Sequence, residues 1–181
     1  MMNKRVLLSA LTLLLASVML AASPVRPSML GPVLMLQMDD GFQLSEENLS
    51  FGMDSRFRIG PVPSSVLVFF CHDYCDQNQS GIRINSYAAV GAAADLSRLT
   101  LGVYAGPKLG YFIQSGKLKS FDTALSMRIT GDVRMMDSVF VGISYLMDGK
   151  TALQDLDAES LLSFFDDHIG RFTLSFLVPM R

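Results

Sequence analysis

The chain has 181 residues, half of them hydrophobic, with 17 acidic against 15 basic side chains and a formal net charge of −2. That is room for one domain with a sizeable core, and the charge balance excludes the basic surface that nucleic-acid binding requires. Mean hydropathy is +0.34, yet beyond residue 23 no apolar run is long enough for a membrane-spanning helix, so the hydrophobicity is spread along the chain.

At the N-terminus Lys4 and Arg5 precede an apolar stretch from Val6 to Ala22, which closes on Ala21, Ala22 and Ser23. A basic head, an apolar middle and small residues at the end describe a secretory signal peptide. Residues 1–23 are therefore expected to be a leader and 24–181 one exported domain, with an uncleaved anchor as the alternative because Pro24 follows the cleavage region. The first cysteine is Cys71, so the leader is not of the lipoprotein kind. Once Lys4 and Arg5 leave with it, 13 basic side chains face 17 acidic ones.

Alternation and chain breakers then predict eight strands in order: Met29–Met38, Leu49–Gly60, Ser65–Tyr74, Ile82–Asp95, Leu99–Ser115, Phe121–Arg134, Ser138–Met147 and Gly170–Met180. Most reach the roughly 9–11 residues that a tilted strand needs to cross a bilayer, whereas ordinary strands average about 5–6. The links after the second, fourth and sixth strands are tight. Those after the first, third, fifth and seventh are longer and more polar: DDGFQLSEEN, CDQNQSG, GKLKS and the stretch from Asp148 to His168. Alternating short and long links along an even number of strands is the pattern of an outer-membrane barrel, with short periplasmic turns and longer extracellular loops.

In the fifth strand one face reads Leu101, Val103, Ala105, Leu109, Ile113 and the other Gly102, Tyr104, Gly106, Lys108, Gly110. The polar faces of the strands hold Gly, Ala, Ser, Thr, Arg and Asp rather than the Lys, Glu and Gln of a solvated surface. Small residues beside short charges suit the crowded interior of an eight-stranded barrel. The predicted lumen network is Asp54, Arg56, Arg83, Lys108, Asp122, Arg128 and Asp132, with Asp95 also inward; Arg58, Arg134 and Arg171, near strand ends, are expected to reach water or headgroups. Phe51, Tyr111, Phe121, Tyr145 and Phe172 fall on the apolar face near the extracellular ends, as an interfacial girdle requires. The fold class is thus all-β: an eight-stranded antiparallel up-and-down transmembrane β-barrel with a short helix in the last extracellular loop.

With "VYAGPKLGYF" and "VFVGISYL" as its most family-like wording, the chain resembles the small outer-membrane barrels of the OmpA transmembrane domain, OmpX/Ail and opacity type. The resemblance implies contact with outer-membrane lipid and lipopolysaccharide, insertion by the barrel-assembly machinery, a monomeric state, and loops free to engage a surface protein. It implies no cofactor and no metal. The ending FTLSFLVPMR departs from the family's terminal aromatic strand.

Three loop features carry chemistry. Cys71 and Cys75 sit in an oxidising compartment, which favours a disulfide if the chain turns between them; a metal held by Cys71, His72, Asp73 and Cys75 is the alternative. His72 and Asp73, with Asp166, Asp167 and His168, form a candidate rim cluster whose residue types resemble the acid and histidine pairs of omptin proteases. Ser160 or Ser163 with His168 is a second hydrolase arrangement, on lipid A. Residues 157–167 are expected to form a helix capped by Asp157, covering the mouth, touching lipopolysaccharide or meeting a partner. The expected role is structural or interactive and not enzymatic. A soluble lipocalin-like carrier with an apolar cavity is the competing reading, and a rim hydrolase the third.

Overall fold

Eight antiparallel strands close on themselves in sequence order in the computed structural model, which describes residues 28–37, 49–75, 79–165 and 168–180. The strands are β1 (Met29–Gln37), β2 (Leu49–Ile59), β3 (Val62–Cys75), β4 (Gln79–Leu96), β5 (Leu99–Gln114), β6 (Lys117–Met136), β7 (Val139–Gly149) and β8 (His168–Pro179). β8 pairs with β1, and Met180 N donates to Ser28 O at 2.7 Å, so the two described ends meet at one rim. The predicted leader lies outside the described residues.

At the rim carrying the termini, every link is a two-residue turn, at residues 60–61, 97–98 and 137–138. Gly60 and Ser97 take positive φ there (60° each). Glycine does so at no steric cost, whereas the serine bears the strain of its Cβ.

The opposite rim differs from the sequence expectation. Ser115 and Gly116, with φ of 50° and 72°, close β5 onto β6 in two residues; positive φ at both central positions is the geometry that matches strand twist. The residues Lys117, Leu118, Lys119 and Ser120 belong to β6, and β3 and β4 pair up to Cys75 and Gln79. What reads as polar loop is strand rising into water, where both faces are wet and the period-two signal disappears. Among the described residues β3 to β6 form a tall wall, with strands of 14, 18, 16 and 20 residues, against 11, 12, 9 and 11 for β7, β8, β1 and β2.

The outward face is apolar along the whole wall: Phe51, Phe70, Ile82, Leu101, Ile129, Ile143 and Phe176 are all exposed. The buried positions face the lumen and include Asp54, Arg56, Arg128, Asp132 and Asp148. An inside-out distribution of this kind excludes water as the surrounding medium and matches lipid.

The lumen is layered rather than uniformly polar. Met29, Phe140 and Leu177 fill it near the termini, and Val33, Met35, Leu67, Phe69, Tyr87 and Leu146 fill its middle towards the far rim. Charged side chains occupy the level between those apolar plugs and the level above them.

Candidate functional site: two charged clusters and an outer aromatic patch

The lower cluster joins opposite walls. β2 and β6 stand four strands apart in a ring of eight, yet Arg128 of β6 grips Asp54 of β2 bidentately, Nη1 to Oδ1 at 2.9 Å and Nη2 to Oδ2 at 2.6 Å. Arg56 Nη2 donates to the same Asp54 Oδ2 at 3.0 Å, and its Nη1 donates to Asp132 on β6. Ser65 and Ser144 accept from Arg128 at 2.8 Å each, and Ser175 donates to Asp54 at 2.7 Å. Two guanidinium groups meet two carboxylates, so the cluster is charge-balanced and buried. Gly142 leaves room for it, since a Cβ there would stand 2.6 Å from Asp132 Oδ1.

The upper cluster climbs towards the far rim. Asp148 is its centre: Tyr87 donates to Asp148 Oδ2 at 3.1 Å, Arg171 donates to the same oxygen, and Lys108 Nζ lies 3.3 Å away. Lys108 also lies 3.8 Å from Asp122, which meets Arg83 at 3.5 Å, and Arg83 stands over the Phe112 ring at 5.8 Å. Arg83 and Asp122 are about one-third and two-fifths exposed. Among the described residues this cluster passes from buried Lys108, Arg171 and Asp148 to part-exposed Arg83 and Asp122.

All seven predicted network residues thus face the lumen, but they divide into two clusters. Arg171 was expected in water and is instead buried on Asp148. Asp148, which the sequence reading left in the last loop, is the carboxylate that holds Lys108 and Arg171; its signal is that Tyr145, Met147 and Gly149 continue the outward alternation one step past Met147. Arg134 is exposed, as expected, its guanidinium 5.5 Å from the Phe140 ring. Arg58 is half-buried and reaches Pro61 O at 3.5 Å.

The cysteine expectation needs correcting at the level of the backbone. β3 runs extended through both residues, with Cys71 opposite Arg83 and Cys75 opposite Gln79. Four residues of strand span ~13 Å, twice the Cα separation of a disulfide. The side chains of Cys71, His72, Asp73 and Cys75 lie outside the described part of the structure, as do Asp166 and Asp167.

His168 is described, and it does not face the mouth. Its Nε2 lies 3.1 Å from Tyr145 Oη, and its ring stacks on Phe164 at 6.3 Å. Tyr145 packs on Phe172 with ring centroids 4.9 Å apart. Tyr145, Phe172 and His168 occupy outward positions, so this is an aromatic patch on the outside of the wall. Of the serines of the alternative hydrolase arrangement, Ser163 is turned to the helix backbone, its Oγ donating to Ser160 O at 3.2 Å. On the tall wall Tyr111 and Phe121 form a second outward pair at 5.1 Å.

The helix α1 (Ala158–Ser163) is shorter than expected, and Asp157 caps it by accepting from Ser160 N at 2.8 Å. That hydrogen bond from the Ser160 amide lowers the Asp157 pKa.

A pocket near the termini, bounded by Met29, Arg56, Tyr104 and Asp132 among others, has a volume of about 30 Å³, enough for a water and far below the ~300–1,000 Å³ of a ligand site.

The chain matches no protein-family model and no curated protein. Solved structures share its architecture. Neisserial surface protein A (NspA) superposes with a TM-score of 0.50 and 11% identity, over 84% of this chain and 96% of that one. The attachment invasion locus protein Ail of Yersinia pestis, in complex with the heparin analogue sucrose octasulfate, gives a TM-score of 0.50 and 14% identity over 85% and 97%. The fold is that of a small outer-membrane β-barrel. At such identities the likeness shows the fold, and the role must come from this chain's own residues.

Proposed function

We propose that the protein resides in the outer membrane as a monomeric, non-conducting, non-enzymatic barrel with a structural or surface-interaction role, its turns in the periplasm and its tall wall in the extracellular space. The observation that carries this reading is the Asp54–Arg128 bridge, which spans the lumen between opposite walls and, with the apolar plugs on either side, leaves no path for solute. A carrier needs a cavity, and this interior is filled while the apolar surface is on the outside. Against the rim hydrolase reading stands His168, whose Nε2 faces Tyr145 on the outside of the wall.

Interaction falls to the extracellular end. The β5–β6 hairpin exposes Lys117 and Lys119 beside Leu118 and Phe121, a pairing of ammonium groups with apolar side chains that suits the phosphates and acyl chains of lipopolysaccharide. A barrel of the same fold crystallised with a sulfated ligand offers a precedent for anion recognition. In detergent the folded protein should migrate differently in electrophoresis before and after boiling, and planar bilayers containing it should show no steady conductance. Recovery in the aqueous phase without detergent would remove the membrane reading.

A further inference from the structure

The last extracellular segment does not sit over the mouth. Outward-facing Met147 is only 5% exposed, whereas Ile143, two outward positions below it, is 59% exposed; something covers the wall at Met147. The chain after β7 provides the cover. Phe164 packs against Gly149, where a Cβ would stand 3.2 Å from its ring, and against His168 on the neighbouring strand. Gly149 and His168 are paired outward positions. A small pocket bounded by Leu125, Leu156, Ser160, Ser163 and Phe164 marks the same contact on the β6 side.

The helix that results is amphipathic the wrong way round for water. Ser160 and Phe164, four residues apart, share the face turned to the barrel, Phe164 buried and Ser160 half-buried, and Leu156 in the extended segment before the cap lines the same pocket. Leu161, Leu162 and Phe165 share the opposite face and are 47%, 41% and 38% exposed. A helix in water turns its leucines inward and its serines outward. Here Ser160 is half-buried towards the protein and three large apolar side chains face away, with Asp157, Glu159 and Ser163 exposed beside them.

Its height fits the same conclusion. The eleven residues of β7, tilted about 45°, rise ~25 Å, which is the thickness of the apolar band. Gly149 therefore marks the outer boundary of that band, and the neighbouring Tyr145 and Phe172 form the girdle. We infer that α1 is an interfacial foot: a segment folded back over the outside of the barrel, with Leu161, Leu162 and Phe165 inserted among the acyl chains of the outer leaflet. The inference rests on the membrane reading above and extends the lipid contact from the strands to the loop.

Because the chain contains no tryptophan, a single one is a clean reporter. Leu162→Trp, Leu161→Trp and Ile143→Trp would be refolded separately into vesicles of phosphatidylcholine with or without brominated acyl chains, after heat-modifiable mobility confirms the fold of each. If the foot is in lipid, the Leu162 and Leu161 reporters emit at short wavelength, lose emission to bromolipid to an extent comparable with the Ile143 reporter, and resist aqueous iodide. Iodide quenching of both loop reporters, with Ile143→Trp still quenched by bromolipid, overturns the foot and leaves the barrel in the membrane. Failure of Ile143→Trp to respond to bromolipid overturns the membrane reading itself. Short-wavelength emission that neither quencher touches and that depends on protein concentration assigns the patch to a second copy of the chain and overturns the lipid assignment.

Discussion

The two charged clusters are built from the same residue types and differ in what surrounds them. The lower one has as many carboxylates as guanidinium groups, is roofed and floored by apolar side chains, and draws its hydroxyls from three further strands. The upper one starts from buried Lys108, Arg171 and Asp148 and rises into half-exposed groups at Arg83 and Asp122. The contrast teaches that burial, and not the presence of ion pairs, decides what each cluster is for. Charges that cannot reach water must be matched one for one, because an uncompensated buried ion costs several kcal/mol. Charges that can reach water, such as Arg83 and Asp122, keep part of their hydration and depend less on their partners.

The sharpest way to break this comparison is Asp54→Ala, which strands both Arg56 and Arg128 in the sealed level. It should cost about 3–5 kcal/mol, read as a lower urea midpoint for loss of heat-modifiable mobility in lipid vesicles. Asp148→Ala removes the carboxylate between buried Lys108 and Arg171, but Lys108 also lies 3.8 Å from the half-exposed Asp122, which can take up part of its charge. The loss should be smaller, about 1–3 kcal/mol, in the same assay. Asp122→Ala breaks two long, exposed pairs and should stay within about 1 kcal/mol. If Asp122→Ala proves as damaging as Asp54→Ala, the distinction between sealed and open clusters fails.

The smallest effect concerns the loop. The hydrogen bond from Ser160 N holds the Asp157 carboxyl below its ordinary value, so the cap's stabilisation is complete above the unfolded-state pKa of about 3.9 and is lost as pH falls through the folded value. Emission of the Leu162→Trp reporter should shift as α1 loosens in that acidic range, and Asp157→Asn should flatten the pH response.

Much of the fold was legible because one rule governs most of it. Strands such as β2 and β6 cross lipid with one wet and one apolar face, so period two places Asp54, Arg56, Arg128 and Asp132 inside without any structure. The rule fails where its cause is missing. Above the membrane, residues 117–120 continue β6 with water on both sides, and their polarity reads as loop. In β1, MLGPVLMLQ, both faces are apolar, so nothing in the sequence shows that Val33 and Met35 turn inward to plug the lumen. Contacts across the diameter are illegible for a different reason: alternation names the face of a strand, whereas the partner of Arg128 depends on which strand stands opposite. The position of α1 outside the wall follows from Met147 together with Gly149 and His168, and the outward direction of the last two is visible only once β7 and β8 extend past the lengths that alternation assigns them.

The Asp54 carboxylate gathers groups from β2, β6 and β8, and Arg128 ties it to serines of β3 and β7. No partially assembled sheet can offer all of these, since β2 and β6 come to face one another only when the ring closes and Ser175 arrives with the last strand. Until then Asp54 and Arg56 have only each other, and Arg128 lacks its carboxylate across the lumen, a penalty that closure removes. The bridge that obstructs the lumen is therefore also a proofreading device, favouring the complete eight-strand ring over any shorter or open intermediate.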